Sequence, residues 1–157
     1  MICELATAGD TQALGRALAG VLRAGDLVVL TGPLGAGKTA LTQGVGAGLG
    51  VRGHVTSPTF VIARVHPAGH PGGIPLVHAD AYRLGGIAEI DDLDLDADLA
   101  DSVTVVEWGE GLAERLSDSY LEIRITRRDD TEQRVAELIP HGADWPTRLE
   151  SLQVPTP

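Results

Sequence analysis

The 157-residue sequence predicts one α/β domain. Three observations carry the prediction. Helical spacing of apolar residues alternates with short β-branched runs in the first half of the chain, one such run stops abruptly at a glycine-rich stretch, and two later pairs of strand-like runs flank turn-rich links of hairpin length.

Leu14, Ala17, Leu18, Val21 and Leu22 recur at offsets of three and four, which predicts an amphipathic helix with Asp10 and Thr11 as caps and Gly25 as its stop. Leu27-Val28-Val29-Leu30-Thr31 follows as a buried strand, ended by the segment Gly32 to Gly37. Beyond the glycines, Leu41, Val45 and Leu49 recur every four residues and predict a second helix. Gly44, Gly46 and Gly48 each weaken it by about 1 kcal/mol relative to Ala. Tertiary contact, in the form of close approach to the sheet, therefore has to hold it.

Thr59 to Val65 and Ile74 to Ala79 read as two strands of a hairpin around His66 to Gly73; antiparallel pairing places Thr59 and Ala79 at one edge. Ala88 to Ala100 has a helical pattern with poor caps, Val103 to Val106 is a short apolar strand, and a helix follows through Leu112 and Leu116. Tyr120 to Thr126 and Gln133 to Ile139 flank Arg127 to Thr131 as a second hairpin. The domain is expected over residues 1–142, and residues 143–157, with Pro146, Pro155 and Pro157, form a C-terminal tail loosely ordered at its end.

Twelve Lys and Arg against 22 Asp and Glu give a formal net charge of −10, which disfavours a protein that grips nucleic acid by itself. With Phe60, Tyr82, Trp108, Tyr120 and Trp145 as its aromatic residues, the chain has no stacking platform either, so a nucleic-acid role has to run through partners. Its single cysteine, Cys3, makes no internal disulfide and points to a reducing compartment. Apolar runs are far shorter than a membrane span or a signal-peptide core, so the expectation is a cytoplasmic chain with no membrane role.

Gly32-Pro-Leu-Gly-Ala-Gly-Lys38-Thr39 fits G-x-x-x-x-G-K-[ST], between a predicted strand and a predicted helix as that motif requires. Its glycines let backbone N–H groups of Gly35, Ala36 and Gly37 turn toward phosphate oxygens. The helix N-terminus adds a favourable dipole, Lys38 reaches the terminal phosphates, and the Thr39 hydroxyl ligates Mg2+. The basic residues are eleven Arg and one Lys, and that Lys is Lys38. A guanidinium cannot replace a compact ammonium inside a phosphate loop.

Magnesium and an attacking water both call for carboxylates at strand ends. Asp80 follows Pro75 to Ala79, and Glu107 follows Val103 to Val106 in the manner of a hydrophobic strand plus acid. Thr56-Ser57-Pro58-Thr59, brought to the Asp80 edge by the hairpin, is either a γ-phosphate sensor or a plain turn. His78, two residues before Asp80 on one strand face, either supports the site or is simply packed. Guanine reading by N-K-x-D needs a second lysine, and the kinase lids that clamp phosphate use several arginines where this chain offers Arg52, Arg64 and Arg83. Adenosine nucleotide hydrolysis is favoured; a small-molecule kinase and a non-catalytic ATP-gated binding module are the alternatives.

Seven acids from Glu89 to Asp101 do not make a calcium loop, because the registers starting at Asp92 and Asp94 lack the required glycine and final glutamate. They read as a solvated face or a docking surface for a basic partner. His66 and His70 have metal-like spacing, but Pro67, Gly69 and Pro71 put them on a surface loop.

Four segments in order, Gly32 to Thr39, Thr56-Ser-Pro-Thr-Phe60, His78-Ala-Asp-Ala-Tyr-Arg-Leu84 and Glu107-Trp-Gly-Glu110, together resemble the TsaE (YjeE) family, ATPases of the tRNA threonylcarbamoyladenosine pathway, over roughly residues 5–140. The resemblance implies a single P-loop NTPase domain with a mixed parallel/antiparallel sheet flanked by helices. It also implies the cofactors ATP and Mg2+, the partners TsaD and TsaB, and contact with tRNA only through that complex. By motif, Lys38 and Thr39 bind phosphate and magnesium, Asp80 and Glu107 serve metal binding or water activation, Ser57 to Thr59 behaves as a switch, and Thr59 joins the nucleotide contacts. Trp108 lies near nucleotide or partner, and the segment near Thr7 to Thr11 near the adenine.

Overall fold

In the computed structural model, residues 1–56, 63–80, 99–107, 116–142 and 144–154 are described. Their elements are β1 (Ile2–Leu5), α1 (Ala8–Ala19), β2 (Leu27–Thr31), α2 (Lys38–Leu49), β3 (Ala63–His66), β4 (Leu76–Asp80), β5 (Val103–Glu107), β6 (Tyr120–Arg127), β7 (Arg134–His141) and α3 (Trp145–Glu150). The strands form one sheet in the order β1-β7-β6-β2-β5-β4-β3. β6, β2, β5 and β4 run parallel, and antiparallel neighbours close both sides: β3 on β4, and β7 then β1 on β6. The expected mixed α/β sheet is therefore observed.

β2, β4 and β5 are buried along their whole length, as parallel strands covered on both faces must be. On one face Val28, Leu30, Leu76, Val103, Val105 and Ile123 pack with Leu14 and Leu18 of α1 and Leu41 and Val45 of α2. Leu27, Val29, Val77, Ala79 and Val106 form a smaller cluster on the other.

α1 begins earlier than its apolar spacing suggests. Thr7 is the N-cap, with Asp10 N–H donating to Thr7 Oγ1 at 3.1 Å and Thr7 N–H donating to Asp10 Oδ2 at 2.9 Å, so Asp10 completes a capping box three residues into the helix rather than capping it. It ends at Ala19, with Val21 and Leu22 bonded back to Leu18 in the turn that follows. The glycines of α2 also have a different cause from the one expected. A Cβ on Gly44 would lie 2.1 Å from Gln12 O, and one on Gly15 would lie 2.3 Å from Leu41 O, so it is α1, not the sheet, that approaches closely there.

The first hairpin is present, with Ala79 opposite Ala63; Thr59, expected at the Ala79 edge, lies outside the described residues. The predicted helices over 88–100 and through Leu112 fall almost wholly outside the described residues. β1 is not predicted by the sequence, and α3 falls inside the segment expected to be a C-terminal tail. β1 adds an edge strand through Cys3 opposite Ala136. α3 buries Trp145 and Leu149 in the main core. Arg148 of α3 is 7% exposed, donates to Asp26 Oδ1 at 3.0 Å and to Val21 O at 2.6 Å, and lies 4.0 Å over the Trp145 ring. No helix of the described residues is long and apolar enough to cross a membrane.

Candidate functional site

The loop between β2 and α2 turns where only glycine fits. Gly32 has φ +146°, and a Cβ there would lie 2.3 Å from Ile125 O. Gly37, at φ +108°, is the N-cap of α2 and offers no side chain to its first amides, which leaves those donors without a side-chain cap. Leu34, at the tip, is 94% exposed. Lys38 is buried and its Nζ donates to Gly32 O at 2.6 Å and Pro33 O at 3.1 Å, so the ammonium folds back over its own loop. Thr39 follows in the first turn of α2, half-buried.

Parallel pairing of β4 and β5 sets Asp80 opposite Glu107, and Glu107 lies opposite Leu30 of β2 on its other side. Both carboxylates thus stand at the C-terminal edge of adjacent strands, beside the strand that feeds the loop. They are 7% and 3% exposed. Burial pushes the Lys38 ammonium below the usual lysine range, while the charges of Glu107 and then Asp80 pull it back up. Lys38, Asp80 and Glu107, distant in sequence, are one electrostatic unit.

Ser57 to Thr59, Trp108 and Glu110, Tyr82 to Leu84 and the acids from Glu89 to Asp98 lie outside the described residues. His66 is buried rather than on a surface loop, and burial, then the charges of His78 and Arg64, lower its pKa. His70 does lie on the exposed loop. Among the described residues, no three His, Cys, Asp or Glu side chains cluster to hold a metal by themselves.

Sequence reasoning missed Arg134. From β7 its Nε donates to Ala36 O at 3.0 Å and one terminal nitrogen to Gly35 O at 3.3 Å, while the other holds Glu132 O at 2.9 Å. Fixing the Ala36 carbonyl turns the Gly37 N–H of the same peptide plane the other way, whereas the Ala36 N–H, expected among the phosphate contacts, is already given to Pro33 O at 3.1 Å. A cleft of about 240 Å³ lined by Glu4, Leu5, Ala6, Arg128, Gln133 and Arg134 opens beside it, close to the Thr7 end of α1. Its one signal in the sequence is an arginine at the mouth of a strand, which is common on any surface.

The family described as "Threonylcarbamoyl adenosine biosynthesis protein TsaE" matches residues 5–136. The chain belongs to the TsaE family. Streptomyces coelicolor TsaE is 63% identical over 131 residues, covering 82% of this chain and 88% of that protein. Mycobacterium tuberculosis TsaE (strain H37Rv) is 52% identical over 133 residues, with 81% and 79% covered. Bacillus subtilis TsaE is 38% identical over 127 residues, with 80% and 77% covered. Each is named tRNA threonylcarbamoyladenosine biosynthesis protein TsaE. The crystal structure of Bacillus subtilis YdiB matches with a TM-score of 0.76 at 29% identity, covering 97% of this chain and 93% of that one. The TsaE resemblance of the four sequence segments is thus confirmed, and the TsaE role in threonylcarbamoyl adenosine biosynthesis is that of the family to which the loop and its two carboxylates belong.

Proposed function

We propose that this chain binds and hydrolyses MgATP in the cytoplasm, and that the cycle supports TsaD- and TsaB-dependent threonylcarbamoyl transfer to adenosine in tRNA. The observation that carries the reading is the junction of Lys38, on its glycine loop, with the buried carboxylates of Asp80 and Glu107 at the ends of adjacent parallel strands.

The residues fit the ligand. Helix-start amides without a side-chain cap and one buried ammonium suit a triphosphate tail. Thr39, Asp80 and Glu107 would hold magnesium, which when bound neutralises charge on the phosphates. Lys38 exchanges its two loop carbonyls for phosphate oxygens, and a carboxylate oxygen of Glu107 orients the attacking water and takes its proton. Adenine is favoured over guanine because no second lysine exists to build N-K-x-D.

Hydrolysis by the chain alone is slow in this scheme. Arg134 spends all three guanidinium nitrogens on carbonyls, so it does not serve as a finger on the γ-phosphate. A partner supplies what is missing, an arrangement worth several orders of magnitude in other phosphoryl-transfer systems.

Reconstitution with TsaB, TsaD and tRNA tests the reading. Phosphate release that rises with the partners supports it. Net phosphate transfer to an added metabolite would make the chain a kinase, and full multiple-turnover tRNA modification with Glu107→Gln would make it a binding module.

A further inference from the structure

His78 sits in the middle of β4, 0% exposed, on the sheet face that carries Asp80. Its register partners are Val105 on β5 and Arg64 on β3. Its Nε2 is 3.4 Å from Oε1 of Glu107. Among the described residues, neither ring nitrogen of His78 nor Glu107 Oε1 makes a hydrogen bond.

This arrangement is expensive for a core position. A buried polar atom without a partner gives up its hydrogen bonds to water with nothing in return, and the same face is otherwise filled by Leu76, Val103 and Val105, which give up none. A packing role explains the volume of the imidazole but not its nitrogens. The separation lies just beyond the usual N–H···O range, and catalytic hydrogen bonds are often long before substrate arrives. A sub-ångström movement of the Glu107 carboxyl closes it.

We infer that His78 is a positioning residue for Glu107. When nucleotide fills the loop, Nε2–H donates to Oε1, which fixes the carboxylate rotamer and leaves Oε2 to meet the water. His78 touches neither nucleotide nor water; it acts through Glu107. The inference rests on the reading of the site as an ATPase.

The test combines single-turnover hydrolysis, ATP titration and imidazole NMR on the full chain, with His78→Ala, His78→Gln, Glu107→Gln and the double variant His78→Ala/Glu107→Gln. The expected result is a rate loss of roughly 10- to 100-fold in His78→Ala, with ATP affinity within about twofold of wild type. His78→Gln, whose amide nitrogen can stand where Nε2 does, recovers most of that loss. In the Glu107→Gln background the His78→Ala change adds no further loss, because the group it positions is already gone. In wild-type protein the His78 ring is the Nε2–H tautomer, and its proton resonance moves on addition of MgATP but not in Glu107→Gln.

An Nδ1–H tautomer, an undiminished rate in His78→Ala, or an equal loss in both backgrounds overturns the assignment while hydrolysis by wild type still stands. Wild-type protein that binds ATP and releases no phosphate, alone or with its partners, overturns the ATPase reading and the role of His78 together. If His78→Ala does not fold, His78→Gln and the wild-type tautomer decide the matter.

Discussion

Arg134 Nε donates to Ala36 O at 3.0 Å, across 98 positions of sequence. β7, two strands from β2 in the sheet, thereby holds the outer side of the loop between β2 and α2. Arg134→Ala is expected to weaken MgATP binding by about tenfold, the worth of a hydrogen bond from a charged donor. Arg134→Lys, with one compact head in place of the fork, recovers only part. Calorimetric titration checks both, and an unchanged affinity in Arg134→Ala would show that the loop holds its shape unaided.

Asp80 and Glu107 face each other in register, yet their expected roles differ. Glu107→Gln should keep ATP affinity within a few-fold and lower single-turnover hydrolysis by about 100-fold or more, as loss of a general base does. Asp80→Asn should raise the magnesium concentration needed for half-maximal rate. Phosphate-release assays across a magnesium series separate the two; identical responses would contradict the division of labour.

Arg148 anchors α3 beneath the start of β2. Burial works against its charge, but hydrogen bonds and the charge of Asp26 outweigh it and hold the guanidinium above its ordinary pKa. Arg148→Met leaves the Asp26 carboxylate without its ion-pair partner in a half-buried place, with the Arg23 N–H as its remaining donor, and should cost about 3 kcal/mol. The pair Asp26→Asn/Arg148→Met should recover most of it. Urea unfolding measures both, and a single-variant loss below about 1 kcal/mol would mean that water screens the pair.

Gly44→Ala ought to stabilise an isolated helix by about 1 kcal/mol. Here the opposite sign is expected, because the new Cβ meets backbone, Gln12 O at 2.1 Å, and α1 must move away. A lowered melting temperature is predicted; a raised one would show that the two helices separate at little cost.

The parts of the fold that declare themselves locally were legible in the sequence. β2, the loop from Gly32 to Thr39 and α2 follow one another within 23 residues, and each shapes the next through its own backbone. Asp80 and Glu107 were legible because each ends an apolar strand, and parallel pairing then placed them together. β1 and α3 were not, since Ile2–Leu5 is too short to show a period and the case for α3 depends on Trp145 and Arg148 finding Asp26 more than a hundred residues away. The glycines of α2 signalled a close approach without saying to what. Arg134 gains meaning only from distances, because an arginine at a strand mouth looks ordinary in one dimension, while His78, legible as a residue on the Asp80 face, needed its separation from Glu107 to point beyond packing.

Titration of wild-type protein and Lys38→Ala with a non-hydrolysable ATP analogue and magnesium decides whether the glycine loop holds a nucleotide. One saturable site per wild-type chain and no measurable binding to Lys38→Ala are expected, with both proteins folded. Equal affinity in the two, or no binding by wild type, would contradict a nucleotide site in the loop.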